Sequence, residues 1–128
     1  MNRDSPRLGD YLAHILEGIN RIARYTDGMK ASDFAADPLV QDAVIRNLEV
    51  IGEASHNIET QCPDFAAAHS QLPLGAAYQM RNAVAHGYFK VDLGIVWQTI
   101  QGDLGDFQAQ IQQARDTLGL DSNLHRKP

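Results

Sequence analysis

The chain has 128 residues, a formal net charge of −5 and one cysteine, Cys62. This length predicts a single domain, for which we expect residues 1–120, followed by a flexible C-terminal tail over residues 121–128. The cysteine count excludes an intrachain disulfide and a multi-cysteine zinc site. The sequence contains neither an apolar run that spans a membrane nor a signal peptide, which predicts a cytoplasmic protein with no membrane partner.

The N-terminal half predicts two long helices. The first runs from about Pro6 to Tyr25, with Ser5 as its candidate cap. Residues 26–32 contain an Asp-Gly pair and are predicted to form a loop. Asp37 is the candidate cap of the second helix, which begins at Pro38. The apolar stripe of this helix consists of Val40, Val44, Leu48, Ile51, Ser55 and Ile58.

The C-terminal half predicts three further helices. A short one begins at Pro63 and runs through His69, and a long one runs from about Leu74 to His86. The last begins near Asp92, and two of its glycines, Gly102 and Gly105, weaken the helix or permit close packing. Its apolar stripe consists of Ile100, Leu104, Phe107, Ile111, Ala114 and Leu118. Four main amphipathic helices and short loops predict an all-α, antiparallel four-helix bundle with an additional short helix.

The segment from Met80 to Asp92 contains the residues best suited to catalysis, beginning with Arg81, Asn82 and His86. Asn82 and His86 are four positions apart, so the amide can orient the imidazole. Arg81 and His86 diverge by ~140° around a helix and by ~7.5 Å along it, so one helix does not aim both side chains at one atom. Two copies of the helix that meet across a symmetry axis would do so, which predicts a homodimer with a composite cleft.

These residue types suit metal-independent cleavage of an RNA phosphodiester. Histidine moves protons near neutral pH, and arginine holds a phosphate and stabilises the charge of the transition state. The nucleophile would be the 2′-hydroxyl of the RNA, so the protein needs no serine or cysteine nucleophile. From spacing alone, a surface arginine and a helix-capping histidine are the commoner interpretation of Arg81 and His86.

The string from Arg81 to Tyr88 resembles the R-x4-H-x-Y motif of the HepT-like toxins of the HEPN superfamily. Three further blocks in matching order extend the resemblance over most of residues 8–115: YLAHILE from Tyr11, RNLEVIGEA from Arg46 and FKVDLGIVW from Phe89. The resemblance implies a dimeric HEPN bundle that acts on RNA. It also implies that Arg81 and His86 are the ribonuclease pair and that Asn82 supports them.

The resemblance further implies a toxin of a type VII-like toxin–antitoxin pair. Its partner would be a minimal nucleotidyltransferase (MNT) antitoxin that transfers AMP to the motif tyrosine, here Tyr88. The alternative function is a non-catalytic dimeric module that binds a nucleotide or a nucleotidyltransferase, which the acidic balance favours. Loss of Arg81 or His86 distinguishes the two, because only a nuclease needs both residues.

Other polar residues predict less specific roles. Arg46, Glu49 and Glu53 share one helix face, which is typical of a solvated ion-pair ladder, although Arg46 and Glu53 are also candidates for supporting the cleft. No histidine has neighbours at metal-ligand spacing, so we expect no metal site and no cofactor, and surface or interface roles for histidines such as His14. Cys62 has no basic neighbour in sequence and is expected to be a buried filler.

Overall fold

A computed structural model describes residues 3–86 and 92–119, although nothing is described of the His86 side chain. Every regular element in these two ranges is helical, so the predicted all-α bundle is confirmed. The helices are α1 (Leu8–Tyr25), α2 (Ala31–Ala35), α3 (Pro38–Gln61), α4 (Pro63–Ala68), α5 (Leu74–His86), α6 (Leu93–Gln98) and α7 (Leu104–Leu118). A π-helical turn, Thr99–Asp103, joins α6 to α7 in one continuous helical run.

Helix α3 is the central element, because it packs against both α1 and α5, while α7 covers α1. The predicted cap at its start is confirmed: the Asp37 side chain accepts a hydrogen bond of 3.1 Å from the Val40 amide. The predicted apolar stripe is buried from Val44 to Ile58, and Val40 is partly buried at the edge of the core. Burial of this stripe, and of its counterparts on α1 and α7, supplies the main stabilisation of the bundle.

Two predictions for the N-terminal half are wrong in detail. Helix α1 begins at Leu8 rather than Pro6, because the hydroxyl of Ser5 accepts from the Arg7 amide and forms a turn before the helix. The predicted loop over 26–32 ends early, because α2 begins at Ala31. Phe34 on α2 is 1% exposed and lies against Trp97, with ring centroids 5.3 Å apart. This contact between residues distant in sequence stabilises α2, which is too short to be stable alone. The bundle therefore has a second short helix, α2, in addition to the predicted short helix α4.

Two alternatives were open for the two glycines of the last helix, and close packing is not the one observed among the described residues. A Cβ atom at Gly102 or Gly105 would meet no atom within 4 Å in the part of the chain that the structure describes. Gly102 instead lies in the π-helical turn, where the α-helical hydrogen-bond pattern is interrupted. The apolar stripe is buried from Ile100 to Ala114, whereas Leu118 is exposed.

The segment before α1 is anchored to α4. The Asp4 carboxylate accepts from the backbone amides of Asp64 and Phe65, at 2.7 and 2.9 Å, and so caps α4 from a distant part of the sequence. Arg3 forms an ion pair of 2.8 Å with Asp64, and its hydrogen bonds lower the pKa of that carboxyl group. These contacts close one end of the bundle over Cys62.

Several predictions fall on residues that the structure does not describe. Tyr88, the expected site of AMP transfer, and the tail over 121–128 lie outside the described ranges. Over residues 3–86 and 92–119, no helix has the length and apolar character needed to cross a membrane.

Candidate active site

A glycine sets the distance between α3 and α5 at the position of Arg81. A Cβ atom at Gly52 would overlap the Arg81 Cβ and would lie 2.8 Å from the backbone oxygen of Ala77. Only a residue without a side chain allows the two helix backbones to come this close. Gly52 therefore places the first carbons of the Arg81 side chain directly on the surface of α3.

One ion pair and one hydrogen bond then hold the guanidinium group of Arg81. Its Nε atom lies 3.3 Å from Glu53 Oε1, on the residue that follows Gly52, and its Nη1 donates to Asn82 Oδ1 at 2.9 Å. The Arg81 side chain is 30% exposed, so the group is fixed by its neighbours yet open to solvent. The remaining N–H groups of its planar fork are available for an anion.

Arg81 opens onto a cleft of about 320 Å³ between α1, α3 and α5. Arg46 and Glu53, the two candidates for supporting the cleft, both line it together with Arg81. The ion-pair ladder expected on this face is present in part: Arg46 Nη1 lies 3.8 Å from Glu49 Oε1, whereas Glu53 pairs with Arg81 on α5. The ladder and the cleft wall are thus the same surface.

Sequence reasoning missed two residues of this cleft. His14 on α1 and Asn57 on α3 line it, and His14 is exposed. Asn57 was detectable, since it lies four positions after Glu53 on the same helix face. Nothing in the sequence around His14 indicates that α1 borders the cleft, since this depends on how α1 crosses α3.

The motif residues after Arg81 are described in part. His86 is the last described residue of α5, directly before the gap at 87–91, and the predicted end of that helix stays a prediction. Asn82, predicted to orient the His86 imidazole, accepts a hydrogen bond from Arg81, and its relation to that imidazole stays a prediction. Ala85 lines the cleft, so the wall between Arg81 and the end of α5 is low.

Two other histidines have structural surroundings. His56 stacks on Tyr78 with ring centroids 3.9 Å apart, and His69 stacks on Phe65 at 4.2 Å. Across the described ranges, no group of three or more histidine, cysteine, aspartate or glutamate residues is arranged to hold a metal ion.

The fold and the cleft define a small all-α bundle with a fixed arginine at the surface of its central helix pair. The family model of the HepT-like ribonucleases ("Ribonuclease HepT-like") matches residues 15–114, and the chain belongs to this family. The match contains α3, α5 and the whole cleft except His14.

Individual relatives agree with this assignment. The chain is 38% identical over 106 residues to "Probable ribonuclease HepT" of Thermococcus cleftensis, covering 83% of this chain and 94% of that protein. It is 33% identical over 103 residues to a "Putative RNase" of Caldanaerobacter subterraneus, covering 80% and 89%. It is also 34% identical over 113 residues to "Gamma-glutamylcyclotransferase and putative RNase" of Methanocaldococcus jannaschii, covering 88% of this chain but only 50% of that protein. No solved structure matches the chain significantly.

Proposed function

We propose that the protein is a metal-independent endoribonuclease whose active site combines Arg81 and His86 across a homodimer. The observation that carries the proposal is the Arg81 fork, fixed by Glu53 and Asn82 at the mouth of a cleft on the helix that ends at His86. The names of the relatives, which describe ribonucleases, support the same activity.

The proposed reaction uses the RNA as its own nucleophile. The 2′-oxygen forms a bond to phosphorus while the bond from phosphorus to the 5′-oxygen breaks, which yields a 2′,3′-cyclic phosphate and a 5′-hydroxyl end. His86 moves a proton in this step, and Arg81 stabilises the extra negative charge on the phosphate oxygens. Asn82 accepts from the Arg81 fork and so fixes one of its two arms.

A second copy of the chain supplies the other half of the site. Arg81 lies on the side of α5 that packs on α3, and His86 follows five positions later, which corresponds to ~140° of rotation on α5. On the outer side of α5, Ala76, Gln79 and Ala83 are exposed at helical spacing. Two of these three residues are alanines, so the helix of a partner can approach closely there.

Mixing inactive variants tests the composite site. Arg81→Ala should reduce the cleavage rate by about 10²–10³-fold and His86→Ala by about 10²–10⁴-fold. If each site takes Arg81 from one protomer and His86 from the other, unfolding and refolding the two variants together should restore about a quarter of wild-type activity. Half of the dimers would then be mixed, with one intact site in each.

The controls distinguish a composite site from a site within one chain. Each variant refolded alone should stay inactive, and addition of a chelator should leave wild-type cleavage unchanged, because the chemistry needs no metal. No recovery on mixing would show that each site lies within one chain. Full activity of either folded single variant would show that the residue it lacks is not catalytic. A folded wild-type dimer that cleaves no RNA would favour the non-catalytic binding module instead.

We also propose that the protein is the toxin of a toxin–antitoxin pair and is silenced by its partner, an MNT-type nucleotidyltransferase. In this step the Tyr88 oxygen attacks the α-phosphorus of ATP and pyrophosphate leaves. The added phosphate would bring a negative charge close to Arg81 and compete with the RNA phosphate, while the nucleoside would block the cleft. The resemblance of the segment from Arg81 to Tyr88 to the R-x4-H-x-Y motif is the basis of this proposal.

Intact-mass spectrometry after incubation with the nucleotidyltransferase and ATP tests the modification. The wild-type protein should gain one or more AMP groups, all of which map to Tyr88 and are absent from Tyr88→Phe. A wild-type protein that is neutralised without any gain of mass would show that the partner acts by occlusion.

A further inference from the structure

The proposed cleft does not supply the positive charge needed to hold a long RNA. Among its described lining residues, the arginines Arg46 and Arg81 face the carboxylates Glu49 and Glu53, and each arginine lies within 4 Å of one of them. The chain as a whole carries a net charge of −5. Since contacts to phosphates dominate the affinity for nucleic acids, an RNA-binding surface has to lie elsewhere on the molecule.

A second groove, of about 400 Å³, lies between α1 and α7 and is rich in arginine. Arg21 and Arg24 on α1 and Arg115 on α7 line it, against a single carboxylate, Glu17, among its described lining residues. Glu17 Oε2 lies 3.5 Å from Arg21 Nη2, which leaves Arg24 and Arg115 without an ion pair among the residues that the structure describes. This groove, defined by Arg21, Arg24 and Arg115, is here called the arginine groove.

The Arg115 side chain provides a second, independent observation. Its Nε atom is buried and has no hydrogen-bond partner within the described residues, although the side chain as a whole is only half-buried. A guanidinium group that is partly removed from water without a partner is costly. It also attracts an anion more strongly than a fully hydrated group does, because the local dielectric constant is lower.

The arginine groove adjoins the cleft across one helix. His14 lines the cleft, and the preceding residue, Ala13, lines the arginine groove. His14, Glu17 and Arg21 follow one another at helical spacing along the same face of α1, with a rise of ~10 Å from His14 to Arg21. A single strand that leaves the cleft at His14 therefore reaches the arginines within a few nucleotides.

From these contacts we infer that the arginine groove binds the phosphate backbone of the RNA substrate next to the scissile bond. The inference rests on the proposed ribonuclease function. Arg24 and Arg115 bind phosphate oxygens through their planar forks, and Arg21 is shared between the RNA and Glu17. The groove recognises the backbone rather than the bases, so it raises affinity without sequence preference.

A binding measurement with a non-cleavable RNA tests the inference. The probe is a fluorescent single strand of about 20 nucleotides with 2′-O-methyl groups, which lacks the nucleophile; a strand of this length spans both sites. The double variant Arg24→Gln, Arg115→Gln should bind it about tenfold more weakly. The slope of log Kd against log salt should fall by about 0.7 for each phosphate that the variant no longer binds. The matched control is Arg7→Gln, which removes an exposed arginine that pairs with Asp10 outside the groove, and it should leave both quantities unchanged.

Two further measurements separate phosphate binding from a structural role. Arg24→Lys with Arg115→Lys should retain most of the affinity, and all variants should keep the wild-type melting temperature within a few degrees. Cleavage of a dinucleotide, which cannot reach the groove, should be unaffected by the double variant. The inference would be overturned if the double variant kept the wild-type affinity and salt slope. It would also be overturned if the variants lost affinity only to the extent that they lost thermal stability.

The outcome is distinguishable from failure of the proposed function. Suppose that cleavage depends on Arg81 and His86 while RNA binding is unchanged in the double variant. The proposed ribonuclease function would then be supported, and RNA binding in the arginine groove would be contradicted. If RNA binding depends on Arg24 and Arg115 but the protein cleaves no RNA, the groove would be supported and the proposed ribonuclease function contradicted. If the groove binds the antitoxin rather than RNA, the double variant should bind the antitoxin more weakly while its affinity for RNA stays unchanged. That result would also overturn the inference.

Discussion

At the scale of single residues, the proposed function depends on how Arg81 is held. Glu53 forms an ion pair with its Nε atom, Asn82 accepts a hydrogen bond from its Nη1 atom, and the aliphatic stem lies against Gly52. A flexible arginine would lose side-chain entropy on binding the transition state. Here folding has already fixed the side chain, so the fork is preorganised before RNA arrives.

Replacement of Glu53 by alanine should therefore lower kcat by about tenfold, because the fork loses one of its two anchors. Glu53→Gln should retain more activity than Glu53→Ala, since the amide keeps the shape of the side chain and an oxygen close to Nε although the charge is lost. The measurement is steady-state cleavage of a short RNA.

The matched control is Glu49→Ala, which removes the same charge from the same helix face but contacts Arg46 rather than Arg81. It should change KM more than kcat. Equal effects of Glu49→Ala and Glu53→Ala on kcat would show that Glu53 acts through its charge alone and not by positioning Arg81.

Cys62 illustrates a residue without a catalytic role. It is fully buried, and desolvation raises the pKa of its thiol, with the nearby Asp4 carboxylate acting in the same direction. The reactive species of a cysteine is the thiolate, whose population at neutral pH falls as the pKa rises. We expect native protein to resist alkylation by iodoacetamide near neutral pH, whereas denatured protein should be modified rapidly. Rapid labelling of the native protein would show that the N-terminal closure over Cys62 opens in solution.

At the scale of the elements, the packing of α5 on α3 determines the site. Gly52→Ala should destabilise the fold by about 1–3 kcal/mol, because the new methyl group overlaps α5 and the helices have to separate. The fraction that folds should cleave RNA more slowly, since Arg81 moves with α5. Urea denaturation and cleavage assays measure the two effects.

Gly105→Ala is the control for helix propensity. Gly105 is a helical glycine of α7, and a Cβ atom there meets nothing within 4 Å among the described residues. This substitution should stabilise the protein by about 0.5–1 kcal/mol. If Gly52→Ala stabilised the protein as Gly105→Ala should, the space between α3 and α5 would have to accommodate a methyl group, contrary to the structure.

At the scale of the whole molecule, the proposed mechanism needs a dimer to complete the site. Light scattering should give about twice the chain mass of 14.1 kDa. Ala83→Arg, on the exposed side of α5, should produce a folded monomer that no longer cleaves RNA. The matched control is Ala109→Arg, which adds the same side chain to the exposed surface of α7 and should stay dimeric and active. A monomeric Ala83→Arg variant with full activity would contradict the composite site.

The sequence by itself determined the helices and the candidate motif. The apolar spacing, the Asp37 cap and the proline at the start of α4 are local signals, and they located the long helices. The motif and its flanking blocks identified Arg81, because family resemblance is carried by residues that are neighbours in sequence.

Only the tertiary structure decided which of these residues meet. Glu53 joins Arg81 because the glycine before it lets two backbones approach, and His14 borders the cleft because of the way α1 crosses α3. Helix α2 forms because Phe34 is buried against Trp97, and Arg115 joins Arg24 although 91 positions separate them in the sequence. Each of these contacts joins residues on different helices, whereas periodicity specifies only the face of a helix and not its neighbour.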